Sequence, residues 1–120
     1  MSSASHDTWL ESEAARKTEA APDPADMVAF ADIVDERKIA EAGTLVSKHR
    51  DYGPYNIARA PGGPLVGLAV RLHDKVSRLA HLLESDVDPE HEALEDTLLD
   101  IANYGTIGQM VCRGEWPGVD

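Results

Sequence analysis

Three segments of the chain place apolar residues at the three- and four-residue spacing of an amphipathic helix. The first, residues 25–49, carries Phe30, Ile33, Val34, Ala40, Leu45 and Val46. The second, residues 64–84, has the clearest stripe: Leu65, Leu68, Leu72, Val76, Leu79 and Leu83. The third, residues 88–112, has its most apolar line along Leu94, Leu98, Ile101, Gly105 and Cys112. No segment alternates with the period of a strand. The pattern predicts an all-α fold, a small bundle of three main helices.

Helix start signals support these boundaries. Pro64 suits the first turn of the second helix, where its missing N–H is not needed. Asp88, Pro89 and Glu90 give the third helix an N-cap, a first-position proline and a first-turn acid. Between the first two helices, residues 50–63 contain two prolines and three glycines. That density favours a long loop without helix or strand, and long loops are often functional.

The segments define the predicted domain organisation. Residues 1–24 are rich in Ser, Ala, Glu and Asp, which predicts a flexible acidic tail. Its Trp9 and Leu10 either dock or share that disorder. Residues 25–112 form the helical domain, and residues 113–120, with Trp116, form a C-terminal tail. A domain of under about 100 residues has a modest core, so we expect a homodimer or homotetramer to complete the bundle.

Composition narrows the possible partners and compartment. The formal net charge of -11 disfavours direct nucleic-acid binding, which needs clustered Lys and Arg. Cys112 is the only cysteine, which excludes an intrachain disulfide and predicts a small apolar core residue. No apolar run approaches the ~20 residues of a membrane span, and the N-terminus lacks a basic and apolar leader. We expect a cytoplasmic protein that does not bind membranes.

An acidic cluster marks the third helix and the residues before it. Eight acids and no Lys or Arg occur in residues 84–100: Glu84, Asp86, Asp88, Glu90, Glu92, Glu95, Asp96 and Asp100. Glu92, Asp96, Asp100 and Asn103 lie within about 80° of one another around a helix. Like charges four residues apart repel, so a partner is expected. This partner is either Mg²⁺, which prefers carboxylate oxygens, or a set of basic groups on a neighbouring helix.

The second helix offers a matching polar stripe, Arg71, Asp74, Lys75 and Arg78. If this stripe faces the acidic line, Asp74 joins the metal site and the basic side chains contact phosphate oxygens. Alternatively, both stripes are exposed faces joined by surface ion pairs of little energetic value. Tyr52 or Tyr104 is a candidate for stacking on a base, although a helical tyrosine is more often a core residue.

Four sequence motifs carry a family resemblance. They are K-x-x-DYG at 48–53, N-I at 56–57, R-x-x-D-K-x-x-R at 71–78 and E-x-x-x-D-T-x-x-D-x-x-N-Y at 92–104. Together they resemble the phage and bacterial nucleotide modification associated domain 1 family over about residues 30–111. More loosely, the chain resembles the MazG-like all-α nucleotide pyrophosphohydrolases. The E-E-x-x-E motif of those enzymes has at most Asp74 here, and their E-x-x-D pair is spaced by four residues at Glu92 and Asp96.

The resemblance to the MazG-like enzymes implies a Mg²⁺-dependent enzyme that releases pyrophosphate from a nucleoside triphosphate by attack of water on the α-phosphate. Glu92, Asp96 and Asp100 would be catalytic, and together with Asp74 would bind the metal. The expected substrate-binding residues are Lys48, Asp51, Tyr52, Asn56, Arg71, Lys75, Arg78, Asn103 and Tyr104. The leading hypothesis is hydrolysis of a possibly modified deoxynucleotide. A non-catalytic nucleotide-binding or sequestering module and a helical interaction protein are the alternatives.

Overall fold

A computed structural model describes residues 21–85 and 91–119. Within these ranges the chain is all-α, with no strand. Three long helices, α1 (Pro24–Tyr52), α3 (Pro64–Glu84) and α4 (His91–Cys112), are accompanied by the short helix α2 (Tyr55–Ala58). The predicted fold class is thereby confirmed. Residues 1–20 of the predicted tail, and the Asp88 start signal, lie outside the described residues.

The expectation of a helix-free loop at 50–63 was wrong in two respects. Helix α1 continues to Tyr52 and ends where the Gly53 N–H donates to His49 O at 2.8 Å. Helix α2 then forms one turn, because the N–H groups of Ala58 and Arg59 reach Pro54 O and Tyr55 O. Burial of Ile57, which is 3% exposed, explains why this glycine- and proline-rich stretch is ordered as a turn of helix.

The described part of the chain divides into two compact units, with the boundary between Glu36 and Arg37, inside α1. In the first unit, Asp23 begins the helix: its Oδ1 accepts a hydrogen bond from the Ala25 N–H at 2.8 Å. Pro24 occupies the first helical position, where no N–H is required. The apolar side chains Phe30 and Ile33 of this unit are exposed.

The second unit has a core where α2, α3 and α4 meet. Its buried apolar side chains are Ile57, Leu68, Ile107, Val111 and Trp116. Trp116 lies in the segment that the sequence assigned to a tail, yet it is only 5% exposed. Its indole Nε1 donates to Pro54 O at 3.0 Å, and its ring meets His49 edge-on at 5.1 Å. The residues after α4 therefore close the core around α2.

The buried face of α4 differs from the most apolar line of its sequence. Leu98 is 51% exposed, and Gly105 and Cys112 are also exposed, so the prediction that Cys112 is a core residue was wrong. Thr97 and Asn103 are buried instead. Burial of their polar groups is tolerated because each makes a hydrogen bond, Thr97 Oγ1 to Ala93 O and Asn103 Nδ2 to Glu41 O.

Helix α3 begins after a turn that requires glycine. Gly63 has φ of 99°, a conformation that residues with a Cβ rarely adopt, and Pro64 follows at the start of the helix. Of the predicted leucine stripe, Leu68 is buried, whereas Leu65, Val76 and Leu83 are at least half exposed. None of the helices in the described ranges is both long and apolar enough to cross a membrane.

Candidate functional site

A pocket of about 400 Å³ opens between the C-terminal part of α1, α2, α3 and α4. We call it the aromatic pocket. Its lining residues are Leu45, Lys48, His49, Tyr52, Gly53, Asn56, Ile57, Arg71, Lys75, Asp100, Asn103, Tyr104, Ile107 and Trp116. Three cationic side chains, four aromatic or imidazole rings and two amides thus surround one cavity. Apolar walls with a few converging polar groups are typical of a small-molecule site.

A second pocket of about 380 Å³ adjoins the first, and we call it the acidic pocket. It is lined by Lys75, Arg78, Glu92, Ala93, Asp96, Thr97 and Asp100. Lys75 and Asp100 line both pockets, so these two side chains form a common wall. A ligand with a ring at one end and charge at the other could therefore occupy both.

Most of the residues predicted from sequence converge on these pockets. Lys48, Tyr52, Asn56, Arg71, Lys75, Asn103 and Tyr104 line the aromatic pocket, and Arg78, Glu92 and Asp96 line the acidic pocket. Asp51 and Asp74 are exposed and line neither. Asp74 therefore lies outside the pocket that Glu92, Asp96 and Asp100 line.

Asp100 holds two lysines from different helices. Lys48 Nζ of α1 lies 2.7 Å from Oδ1, and Lys75 Nζ of α3 lies 2.9 Å from Oδ2. The Asp100 side chain is only 18% exposed, against 50% for Lys48 and 30% for Lys75. The three groups carry a net charge of about +1 at neutral pH. We call them the Lys48–Asp100–Lys75 bridge.

The bridge shifts the pKa values of Asp100 and Lys48. Burial acts to raise the pKa of the Asp100 carboxyl, but the hydrogen bonds and charges of Lys48 and Lys75 outweigh it and lower the pKa below its ordinary 3.8. The hydrogen bond to Asp100 raises the pKa of Lys48 above its ordinary 10.5. The Asp100 carboxylate and the Lys48 ammonium group are therefore both charged across the physiological pH range.

Two further hydrogen bonds hold the aromatic pocket in shape. The Arg71 guanidinium donates to Asn56 O at 3.3 Å, tying α3 to α2. The buried amide of Asn103 donates to Glu41 O at 3.3 Å, tying α4 to α1. Because Nδ2 makes this bond, the acceptor oxygen of Asn103 is directed away from Glu41 O. These two bonds connect the four helices that surround the pocket in two pairs, α3 with α2 and α4 with α1.

The donor groups decide how well Mg²⁺ fits. Over residues 21–85 and 91–119, no three His, Cys, Asp or Glu side chains are grouped as a metal site. Mg²⁺ in nucleotide sites, however, commonly takes only one or two carboxylates and completes its shell with phosphates and water. Glu92 and Asp96, one turn apart and exposed in the acidic pocket, fit that requirement. Asp100 fits less well, because each of its oxygens already accepts from a lysine.

Comparison with known proteins finds no relative of this chain. No family model, curated protein or solved structure matches the chain.

Sequence reasoning missed part of the aromatic pocket. His49 and Trp116 contribute rings, and Leu45, Ile57 and Ile107 contribute apolar walls. His49 follows Leu45 by four residues and precedes Tyr52 by three, so helical spacing alone could have placed it beside them. Trp116 had a weaker signal, a single large aromatic in an otherwise small and polar tail. Within the described ranges, His49 Nδ1 is buried without a hydrogen-bond partner.

Proposed function

We propose that the protein binds a nucleoside triphosphate across the two pockets and, with Mg²⁺, hydrolyses it to a nucleoside monophosphate and pyrophosphate. The observation that carries the proposal is the common wall: Lys75 and Asp100 join an aromatic cavity to an acidic and basic one. A nucleotide has the same division, with a stacking base at one end and charged phosphates at the other.

The aromatic pocket is suited to the nucleoside. Tyr52, 71% exposed, and the half-buried Tyr104 offer faces on which a base can stack. Asn56 and Asn103 offer amides for its polar edge. Lys48, Arg71 and Lys75 are the cations of this cavity, and Lys75 also lines the acidic pocket, so the phosphates would run past these cations into the acidic pocket. Arg78 extends the cationic groups toward the remaining phosphates.

The acidic pocket is suited to phosphoryl chemistry. Glu92 and Asp96 are the residues that would hold Mg²⁺, which when bound neutralises phosphate charge and polarises the phosphorus. Lys75 and Arg78 would stabilise the negative charge that develops on the phosphate oxygens. In the reaction a water oxygen bonds to the α-phosphorus, the bond from that phosphorus to the bridging oxygen breaks, pyrophosphate leaves, and the proton lost by the water passes to solvent. The carboxylate oxygen of Glu92 or Asp96 that does not hold the metal would orient the water.

A non-catalytic nucleotide-binding module is the second candidate. The bridge supports it, because an Asp100 that is held by two lysines is not free to complete a metal site with Glu92 and Asp96. In that case the same pockets bind the nucleotide without turning it over.

Binding is the first test. Thermal melting of the full chain with each ribo- and deoxynucleoside triphosphate, with Mg²⁺ or with EDTA, should show stabilisation that requires the nucleotide. At a free ligand concentration of 100 times Kd the expected stabilisation is about 2.7 kcal/mol. Absence of any shift with every nucleotide would contradict both candidates and leave the interaction protein.

Turnover then separates the two candidates. Glu92→Gln and Asp96→Asn should each lower kcat for pyrophosphate release at least about 100-fold, while the fold is kept and Mg²⁺-free nucleotide affinity does not fall. Phosphorus NMR of the products distinguishes pyrophosphate from single phosphate release. Glu95→Gln, an exposed carboxylate of the same helix that lines neither pocket, is the matched control. Binding without turnover in the wild type favours the non-catalytic module.

A further inference from the structure

The Lys48–Asp100–Lys75 bridge occupies the position where the proposed function places ligand phosphate. Its two ammonium groups come from α1 and α3, and the carboxylate from α4 joins them at the wall common to both pockets. A carboxylate and a phosphate offer the same chemistry to an ammonium group, since both accept charge-assisted hydrogen bonds. The two acceptors therefore compete for the same donors.

We propose that Asp100 is a built-in competitor that makes the site selective for phosphate groups carrying two negative charges. This inference rests on the proposed function and assigns a role to one of its residues. In the absence of ligand, the carboxylate neutralises one of the two lysine charges. A ligand phosphate takes over the lysine hydrogen bonds only if it interacts with them more strongly than Asp100 does.

The selectivity follows from charge. A monoanion offers the two ammonium groups the same single charge as Asp100, so exchange brings no electrostatic gain. A terminal phosphate group or a polyphosphate carries two or more charges and gains on exchange. The phosphates of a nucleic-acid backbone carry one charge each, and are disfavoured by the same competition. The ligand class is thus a free nucleotide with an unesterified phosphate end.

Removal of the competitor gives a test with a definite sign. Asp100→Asn keeps the shape of the side chain but removes the charge that faces Lys48 and Lys75. Pyrophosphate binding, measured by calorimetry in EDTA at pH 8, should become about tenfold tighter than in the wild type. Lys48→Met should weaken it by a similar factor. If Asp100 instead only positions the lysines, Asp100→Asn weakens pyrophosphate binding, and the proposal is overturned.

A control separates local competition from the overall charge of the chain. Glu95→Gln removes one negative charge from the same helix without touching the pockets, so its pyrophosphate affinity should stay within about twofold of the wild type. Equal tightening in Glu95→Gln and Asp100→Asn would show a long-range charge effect and would contradict competition by Asp100.

The wild type supplies an independent measurement if Asp100→Asn does not fold. Methyl phosphate is mostly a dianion at pH 8, whereas dimethyl phosphate of similar size is a monoanion. Methyl phosphate should displace a bound fluorescent nucleotide at a concentration at least about tenfold lower than dimethyl phosphate does. Equal potency would overturn the selectivity. Loss of nucleotide binding altogether would sink the proposed function, whereas tight nucleotide binding with equal potency of the two esters would sink this inference alone.

Discussion

Asp100 makes the ion pairs that join α4 to both α1 and α3, and its ionisation therefore links pH to stability. Its folded pKa is lowered, so its contribution is present above the unfolded value near 3.8 and is lost as the pH falls through the folded pKa. Lys48 has a raised folded pKa, so its contribution is present below 10.5 and is lost as the pH rises through the folded value. The Lys48–Asp100 ion pair contributes to both shifts, and Lys75 contributes to the shift of Asp100 as well.

The Lys48→Met variant should reveal this dependence. Because Lys48 is half exposed, we expect a loss of no more than about 1 kcal/mol in the free energy of unfolding near pH 7. The difference from wild type should stay level from about pH 5 to 9, and shrink below about pH 4 and above about pH 10.5. Urea unfolding at each pH measures it. Lys38→Met, which removes only the exposed Lys38–Glu41 pair, is the control. A difference that grows toward low pH would contradict the assignment.

Among single residues, those with a local pattern were the predictable ones. Lys48, Lys75 and Asp100 each lie in one of the sequence motifs, and the two ion pairs of Asp100 bring all three together. The sequence did not predict that Asp100 pairs with lysines, because a run of acids fits a metal and a basic neighbour equally well. That choice depends on the distance between helices, which local spacing does not contain.

At the scale of the helices, α3 and α4 differ in how well their buried faces were predicted. Leu68 of α3 is buried as its stripe indicates. On α4 the buried side chains include Thr97 and Asn103, whose hydrogen bonds to backbone oxygens make burial tolerable. Hydrophobic periodicity cannot identify such positions, since it counts both residues as polar. The face was therefore assigned to the wrong side of the helix.

Close packing of α3 against the preceding loop predicts the effect of a single methyl group. A Cβ on Gly67 would lie 2.5 Å from the Cβ of Ala60, which cannot rotate away. Gly67→Ala should therefore destabilise the protein by about 1–3 kcal/mol through overpacking.

The matched glycine-to-alanine change on α4 is expected to have the opposite effect on stability. Gly105 is in the middle of the helix, and a Cβ there meets no atom within 4 Å. Gly105→Ala should stabilise by up to about 1 kcal/mol, because alanine favours the helix more than glycine does. Chemical denaturation of both variants compares the two. Equal effects would show that helix propensity alone, and not the contact with Ala60, determines the result.

In the second unit as a whole, the segment after α4 contributes more to the buried core than its composition indicated. Trp116 packs in the core and bonds to Pro54 O from 62 residues away in sequence. Contacts over that separation leave no periodic signal, and this explains why the tail prediction did not include it. The same residue lines the aromatic pocket, so a change at Trp116 affects both the stability of the core and the shape of the site.

Two substitutions separate the contributions of the indole. Trp116→Ala should lose about 3–5 kcal/mol, as expected for removal of a large buried side chain. Trp116→Phe keeps the ring contact with His49 but leaves Pro54 O without its donor, so about 1–3 kcal/mol is expected. Thermal and urea unfolding give both values. A near-neutral Trp116→Phe would mean that Pro54 O finds another donor.

Self-association remains a prediction for the whole molecule. Leu65, Val76 and Leu83 on α3, and Leu98 on α4, are each at least half exposed in the single chain. Burial of such side chains against a second copy is a common way for a small domain to complete its core. Sedimentation velocity should show a homodimer or larger species, and Leu98→Glu should shift it toward the monomer. A monomer at all accessible concentrations would contradict the prediction.

The exposed thiol at the end of α4 provides a means to measure assembly geometry. Cys112 is the only cysteine, it is accessible, and it lines neither the aromatic nor the acidic pocket. A nitroxide attached there labels each copy once, without mutagenesis and away from the proposed nucleotide. Pulsed electron resonance between labels would then give the spacing of neighbouring copies directly, and its response to nucleotide would report whether they rearrange.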